Sequence, residues 1–396
     1  MLRLKSLKIK LKILGDGQIW DLRGISPEER EKTFEDLFSG RALGQMAQVA
    51  NRQPPTRNFF SPFKEKGKIT GLSVTKALLS NNSGAKEAAM VLLEDLAKNA
   101  ALGIKAFSQN KGFKPNWSVR EKNYWKNPDI IIIGGGVSKG ATGKILVSLI
   151  KRYLSKEEVS GIRVYQAKFP GKESGCLGAV INILEPICNE AKRKGFKKIT
   201  AIGLDLGREK IGIGLLVINP DSEKIILKRK ENPWLFRYSV RTPGQQRLKA
   251  FLDSRTDYAN QERIIGQHLR KLILKQMADL IIQAQAKAQE FGWENSRNIG
   301  VSVPGCPSSD GSIINSTDYL PFFRKQDGFN FTENLEESLA GKGMMDYQIH
   351  IINDGIAAGI ANIYFDSSSV KRGKFAFLGV GSGLGGCVGL KSEVKQ

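Results

Sequence analysis

A chain of 396 residues is too long for one small core and predicts two domains of ordinary size. With 41% hydrophobic and 25% charged residues, the composition is that of a folded globular protein, and its apolar runs are far shorter than the roughly 20 residues that span a bilayer, so we expect no membrane partner. The net charge of +22 would attract phosphates or polyanions, but the lysines are spread along the chain without a nucleic-acid-binding motif, so nucleic acid is not an expected partner.

The periodicity of apolar residues predicts strands that alternate with helices, which is typical of an α/β protein. In the first half the predicted elements are a strand over 7–13, a helix that starts at Ser26, a loop over 53–72, a helix over 84–107, a strand over 129–133, a helix to about Leu154, a strand over 162–167 and a helix over 175–194. In the second half they are a hairpin over 199–220, a helix over 261–291, a strand over 299–305, a loop-rich insert, a strand over 348–354, a helix over 355–365 and a hairpin over 374–390.

Cysteine and histidine are sparse and scattered. The cysteines are Cys176, Cys188, Cys306 and Cys387, and no two of them form a C-x-x-C pair. The two histidines have no metal-ligand spacing to a cysteine. The pattern indicates a reducing, cytoplasmic location and no structural zinc.

Two glycine-turned hairpins carry candidate phosphate-binding residues. In GLDLGREKIGIGLL, Asp205 ends a strand directly before a tight turn at Gly207. Backbone N–H groups of such a turn can hold phosphate oxygens, and the carboxylate can order a hydrated Mg²⁺. In GVGSGLGG the spacing Gly381-x-Gly383-x-x-Gly386 matches a dinucleotide fingerprint, but a strand follows where that fold needs a helix, which excludes it.

Two further segments carry polar groups at the ends of strands. IINDGIAAGIANIYF sets Asp354 between an apolar strand and an apolar helix, where a carboxylate either accepts a proton from a substrate hydroxyl or caps the helix. VSVPGCPSSDGSIINSTDYLPFF runs from a strand into a loop rich in amides and hydroxyls. Such a loop suits a polyol substrate, and it is equally typical of a surface turn.

Together these motifs resemble the ROK family of bacterial sugar kinases and repressors. DLGREKIGIGLL is similar to the family's D-x-G-G-T-K motif, NDGIAAGIANIYF to its N-D-A-N-x-A-A-x-x-E segment and LGVGSGLGGCVGL to its G-T-G-I-G-G-G motif. Segments that the family carries after these stand first here, namely DLFSGRALGQMA, SGAKEAAMVLLEDLAKNAALGIKAF, NPDIIIIGGGVS and ESGCLGAVINIL. The resemblance covers nearly the whole chain, and the family's second half precedes its first half in this sequence.

The resemblance implies a two-lobed actin-like ATPase fold, which is ribonuclease H-like, in circularly permuted form. Residues 1–190, completed by about 355–396, would form the usual C-terminal lobe, and residues 197–354 the usual N-terminal lobe. The break would fall at a turn between strands, where new termini are tolerated. Met1 and Gln396 are therefore expected on adjacent strands of one sheet.

The implied function is a kinase that transfers the ATP γ-phosphoryl group to a hydroxyl of a sugar or sugar-like molecule, with ATP and Mg²⁺ as cofactors and without zinc. Catalysis would be positioning and charge stabilisation, completed when the lobes close. By resemblance, Asp354 would be the base and Asp205 would order Mg²⁺ through water. The other implied contacts are Gly207, Gly381, Ser382 and Gly383 for phosphates, Gly135 and Gly136 for adenosine, and Asn315, Asp318, Asn353 and Gly305 for the sugar.

Three departures from the family pattern bear on the substrate. The C-x-C-G-x-x-G-C zinc segment is absent, the E-x-G-H sugar pair has no counterpart near residues 1–20, and Arg208 and Glu209 replace glycine and threonine. We therefore do not expect plain glucose to be the substrate. The alternatives are a non-catalytic sugar-binding regulator, a degenerate ROK-like binding protein and polyphosphate as the donor, and the pattern leaves a homodimer open.

Overall fold

The chain folds as a mixed α/β protein. The structure is a computed structural model that describes residues 9–16, 33–65, 67–109, 119–169, 172–207, 210–226, 234–243, 259–315, 323, 329–365, 373–381 and 384–393. It divides into two compact units: the first contains the described residues of 8–171 and 362–396, and the second those of 172–361. Within these ranges no helix is both long and apolar enough to cross a bilayer.

The elements follow one another in three runs. The first unit contains β1 Ile9–Asp16, α1 Phe34–Leu37, α2 Gly40–Ala50, a short 3₁₀ helix Ser61–Phe63, α3 Gly71–Leu78, α4 Ser83–Ser108, α5 Val119–Trp125, β2 Ile130–Gly134, α6 Gly140–Lys156 and β3 Arg163–Gln166. The second contains α7 Lys172–Asn182, α8 Leu184–Arg193, β4 Ile199–Leu206, β5 Lys210–Asn219, β6 Lys224–Ile225, β7 Trp234–Arg241, α9 Ala259–Glu290, β8 Asn295–Val303, β9 Cys306–Pro307, β10 Ile313–Asn315, α10 Phe331–Ala340, β11 Gln348–Asn353 and, as far as Ala361, α11 Asp354–Phe365. The chain then returns to the first unit with β12 Gly373–Val380 and β13 Leu384–Glu393.

The sheet of the first unit has the strand order β1-β13-β12-β2-β3. β12 and β2 pair in parallel, as do β2 and β3, while β13 is antiparallel to both β12 and β1. All five residues of β2 are buried, as expected for a central strand of a sheet with a parallel half. The hydrophobic core of the first unit lies between this sheet and helices α2, α3, α4 and α6. The predicted helix over 84–107 is confirmed as α4.

The strands nearest the two chain ends are neighbours in this sheet. Ile9 of β1 lies opposite Glu393 of β13, and the ladder runs from there to Asp16 opposite Cys387. Met1 and Gln396 themselves lie outside the described residues. The pairing of β1 with β13 is the arrangement that the circular order of the motifs predicts.

The sheet of the second unit has the order β11-β8-β4-β5-β6, and β7 also pairs with β5. β4, β8 and β11 are parallel to one another, while β5 is antiparallel to β4. Side chains of alternate residues on β4, β5 and β8 form one core with helices α9 and α10. The opposite face of β4 and β8 packs against α7.

Helix α7 approaches that second face closely because glycines line the contact. A Cβ at Gly203 of β4 would overlap the carbonyl oxygen of Cys176, and one at Gly300 of β8 would overlap that of Ala179. On the helix itself, a Cβ at Gly178 would overlap the carbonyl oxygen of Ala357 in α11. Without side chains at these positions the backbones of α7, the sheet and α11 come together.

Two predicted elements are wrong in detail. The helix predicted over 175–194 is two helices that break at Ile183, because Pro186 has no N–H to donate and its ring would clash with the carbonyl of Asn182 in a continuous helix. The loop-rich insert contains helix α10, which Asn330 caps and which buries Phe331, Leu335 and Leu339. Spacing of four residues between those apolar side chains is the helical signal that marks it.

A buried carboxylate fastens helix α8 to the start of β8. Glu190 is 4% exposed and accepts from Ser296 Oγ at 2.6 Å, Asn298 Nδ2 at 3.1 Å, the Arg297 backbone N–H at 3.1 Å and Lys194 Nζ at 2.8 Å. Burial would raise the pKa of Glu190, but the hydrogen bonds outweigh burial and hold it below its ordinary value.

We expect Glu190→Gln to lower the free energy of unfolding by about 1–3 kcal/mol at neutral pH, since hydrogen bonds to a charged, buried acceptor are lost. Because the folded-state pKa is depressed, this stability is present above pH 4.5 and is lost as the pH falls below that value. Urea unfolding at several pH values measures it. Glu290→Gln, at a carboxylate that is 62% exposed, is the control, and equal effects of the two substitutions would contradict the assignment.

Candidate active site

The parallel register of three strands brings the candidate residues of the second unit to one edge of its sheet. Asp205 on β4 lies opposite Ser302 on β8, and Asn353 on β11 lies opposite Val303 on the other side of β8. With β8 between them, the Cα atoms of Asp205 and Asn353 are separated by two strand spacings, about 10 Å. The carboxyl ends of parallel strands are where ligands bind in α/β proteins.

Asp205 is held from two sides. The hydroxyl of Ser302 donates to Asp205 Oδ1 at 2.9 Å, and Ser302 is fully buried. On the other side the backbone of α7 passes so closely that a Cβ at Gly175 would overlap the carboxylate. The orientation of this carboxylate is therefore defined by a strand residue and by a helix glycine.

The turn after Asp205 has its own support. The Gly207 N–H donates to the Lys210 carbonyl at 3.1 Å, which closes the turn between β4 and β5. Thr242 Oγ1, in a residue only 2% exposed, donates to the Gly207 carbonyl at 2.7 Å. Arg208 and Glu209 lie outside the described residues. A hydroxyl from the end of β7 thus fixes the start of the candidate phosphate turn.

Asn353, rather than Asp354, caps helix α11. Asn353 Oδ1 accepts from the Ile356 backbone N–H at 3.1 Å, which is the hydrogen bond of an N-cap residue. Its Nδ2 donates to the Gly305 carbonyl at 2.8 Å, and Gly305 has a φ of 108°, a conformation open to glycine. Asn353 therefore joins the loop after β8 to the start of α11.

Asp354 is the first residue of α11, and its carboxylate accepts from the Gly355 N–H at 2.8 Å. Desolvation by the surrounding protein raises the pKa of Asp354 to about 6, against the lowering effect of hydrogen bonds from backbone N–H groups. Asp354 is nevertheless an exposed residue, so solvent screening reduces the effect of desolvation on its pKa. A carboxylate that is accessible and has a raised pKa is suited to accept a proton near neutral pH.

Three of the glycines predicted to bind the donor, Gly135, Gly136 and Gly381, lie in the first unit. A Cβ at Gly135, whose φ is 86°, would overlap the backbone of Val380, and the Val137 N–H donates to the Val380 carbonyl at 3.2 Å. The Gly40 N–H at the start of α2 donates to the Gly381 carbonyl at 2.7 Å. The end of β2, the end of β12 and the start of α2 thus form one glycine-lined corner, and a Cβ at Gly136 would meet open space.

The remaining candidates are divided between described and undescribed residues. Asn315 ends β10 and pairs with Cys306, while Asp318, Ser382 and Gly383 lie outside the described residues. The role of each candidate stays a prediction. Four supporting residues were not predicted as site residues: Ser302, Thr242, Gly175 and Gly40. The visible signal for Ser302 was a polar residue between Val301 and Val303 in the apolar run of β8.

The residues at this edge fit the way proteins hold Mg²⁺. Among the described residues no three His, Cys, Asp or Glu side chains cluster as a metal site. Mg²⁺ bound with a nucleotide needs no such cage, because it keeps several waters and takes one or two carboxylates together with substrate phosphates. Asp205, oriented by Ser302 beside the turn at Gly207, matches that pattern.

Comparisons with known proteins give a limited similarity to a solved structure. No family model matches the chain, and no curated protein matches it. Among solved structures it is similar to the ROK hexokinase from Thermus thermophilus, with 21% sequence identity over 48% of this chain and 46% of that one, and a TM-score of 0.30. The match spans about half the length of that hexokinase. At this level of similarity the function has to be argued from the site itself.

The raised pKa of Asp354 predicts the effect of its removal on stability. Because the folded state favours the protonated form of Asp354, stability falls as the pH rises from 3.8 to about 6 and stays lowered above that range. We expect Asp354→Asn to raise the unfolding midpoint in urea at about pH 8, and to have a smaller effect below pH 3.8, where the aspartate is protonated in both states. An unchanged or lowered midpoint at the higher pH would contradict the raised pKa.

Proposed function

We propose that this protein is a Mg²⁺-dependent kinase that transfers the γ-phosphoryl group of ATP to a hydroxyl of a sugar or sugar-like substrate. The observation that carries the proposal is that two neighbouring residues at the start of α11 differ in role. Asn353 caps the helix, and Asp354 is accessible with a pKa raised to about 6. The capping hydrogen bond is therefore not the role of Asp354.

The proton transfer follows from that geometry. The acceptor hydroxyl oxygen attacks the γ-phosphorus as the bond from the γ-phosphorus to the β–γ bridging oxygen breaks, and the hydroxyl proton passes to the carboxylate of Asp354. The products are the phosphorylated acceptor and ADP. Because transfer to a base works best when the pKa of the base lies near the working pH, a raised pKa favours Asp354 over an ordinary surface aspartate.

The donor would be held by backbone groups more than by side chains. Asp205 would hold Mg²⁺ through water, and Mg²⁺ when bound would neutralise charge on the β- and γ-phosphates. The turn at Gly207 would lie against phosphate oxygens, and Gly381, Ser382 and Gly383 stay predicted phosphate contacts. Gly135 and Gly136 would lie against the adenosine, and the open space at the Cα of Gly136 would leave room for a flat ring.

The acceptor is proposed as a polyol other than plain glucose. Gly305 and Asn353 join β8 to α11 beside Asp354, and Asn315 lies on the strand pair β9–β10 of the same loop region. Sites built from hydrogen-bonding groups discriminate sharply, since a missing hydroxyl leaves a polar group unpaired. The family's E-x-G-H pair has no counterpart in this sequence, so a modified sugar fits the proposal better than glucose.

The strand orders of the two sheets support the circular permutation. Both units place an antiparallel hairpin, β4–β5 or β12–β13, beside two strands parallel to its first strand. In the second unit the strands that pair with the outer side of β5 are β6 and β7, which follow β5 along the chain. In the first unit the strand that pairs with the outer side of β13 is β1, which comes from the other end of the chain. Joining those ends would give both units one chain order, and we propose the actin-like, ribonuclease H-like fold on this basis. The lobe boundaries stay a prediction.

Asp354→Asn should lower turnover by about 10²–10⁴-fold, because general base catalysis is lost while the helix cap remains. In the unmutated protein, kcat should rise with pH through about 6 as the carboxylate ionises. A panel of sugars, sugar derivatives and polyols with ATP or polyphosphate, assayed for phosphorylated product, gives the starting activity.

The matched control is Asp346→Asn, at an aspartate that is 72% exposed and pairs with Arg297. It should leave turnover near normal. Comparable turnover of Asp354→Asn and the unmutated protein would remove the base assignment. Ligand binding without product across the whole panel would instead favour a non-catalytic sugar-binding protein.

The substrate loop gives a second test. Asn315→Ala and Asp318→Ala should each raise the KM for the acceptor by about tenfold, the loss expected for one hydrogen bond to a charged or polar substrate group, while the KM for ATP stays nearly constant. Steady-state kinetics with each substrate varied in turn separates the two effects. Efficient phosphorylation of plain glucose that both substitutions leave unchanged would overturn the assignment of this loop.

A further inference from the structure

We propose that Ser302 is a positioning residue that orients Asp205 toward the hydrated Mg²⁺ of the nucleotide, an inference that rests on the proposed kinase function. Its hydroxyl donates to Asp205 Oδ1 at 2.9 Å from the facing position on the neighbouring parallel strand. Ser302 is fully buried, so water cannot compete for that hydrogen bond.

The choice of a hydroxyl has a chemical consequence. A carboxylate at the end of β4 has to keep its negative charge in order to attract a hydrated cation, yet it has to be held in one orientation. A serine donor fixes one oxygen and brings no charge of its own. Polar groups that orient a metal-binding carboxylate typically contribute 10–100-fold to metal affinity or activity.

The opposite side of the carboxylate is limited by backbone. A Cβ at Gly175 would overlap both Oδ1 and Cγ of Asp205, so α7 allows the present position of the carboxylate only because residue 175 has no side chain. Ser302 and Gly175 come from different elements and act on the same carboxylate. A displaced carboxylate should therefore result from a change at either position.

The second buried serine of β8 provides a matched control. Ser296 is 1% exposed and donates to the carboxylate of Glu190 at 2.6 Å, in the network that includes Lys194. The two serines share a strand, a degree of burial and a carboxylate partner. They differ in location, because Ser296 lies near the start of β8 and Ser302 lies one residue before its end.

The experiment compares the unmutated protein with Ser302→Ala, Gly175→Ala and Ser296→Ala. ADP binding is measured by calorimetry with MgCl₂ and again with EDTA, and the unfolding midpoint is measured for each variant. We expect Ser302→Ala and Gly175→Ala to weaken binding in MgCl₂ by about tenfold or more, with little change in EDTA. Ser296→Ala should lower the unfolding midpoint and leave the effect of Mg²⁺ on binding unchanged. Ser302→Thr keeps the hydroxyl and should bind in MgCl₂ more tightly than Ser302→Ala.

The outcomes separate this inference from the proposed function. If the unmutated protein binds ADP more tightly with Mg²⁺ but phosphorylates nothing in the acceptor panel, the kinase proposal fails and the binding data still decide the role of Ser302. The inference is overturned if Ser302→Ala behaves like Ser296→Ala, with lower stability and an unchanged Mg²⁺ effect. It is also overturned if ADP binding by the unmutated protein does not depend on Mg²⁺.

Discussion

The pairing of β8 between β4 and β11 is the constraint on which the candidate site depends. Parallel register places Asp205 opposite Ser302 and Asn353 opposite Val303, so residues from distant parts of the chain reach the same edge of one sheet. Because side chains alternate along a strand, a shift of one residue in either pairing would turn Asp205 or Asn353 to the opposite face. Strand register therefore determines which side chains can share the candidate site.

Close packing by helix α7 stabilises that register. Gly203 and Gly300 lie side by side on β4 and β8, and each contacts a backbone carbonyl of α7. Substitution of either would separate the helix from the sheet. The same helix supplies Gly175 beside Asp205, so the packing that holds the sheet together also places the carboxylate.

Two carboxylates of the second unit show how environment separates structure from chemistry. Glu190 is buried and receives four hydrogen bonds, one of them from Lys194, which lower its pKa and keep it ionised. Asp354 is accessible and has a pKa raised to about 6, so it can exchange a proton near neutral pH. Both are acidic residues in an α/β sheet protein, and their sequence neighbours alone do not distinguish them, because their pKa values depend on distant donors and on burial.

The sequence by itself determined the alternation of strands and helices and the two glycine-turned hairpins, since these depend on local periodicity and on turn residues. Local pattern also placed Asp354 at a junction of strand and helix, but left open whether it caps the helix. Only the tertiary structure assigned the cap to Asn353, because that choice depends on side-chain direction and on the contact with Gly305. The same holds for Ser302, which lies 97 residues from Asp205 along the chain and meets it only through the pairing of β4 with β8. Contacts between strands that are distant in sequence have no local signal, and they decide which polar residues share a site.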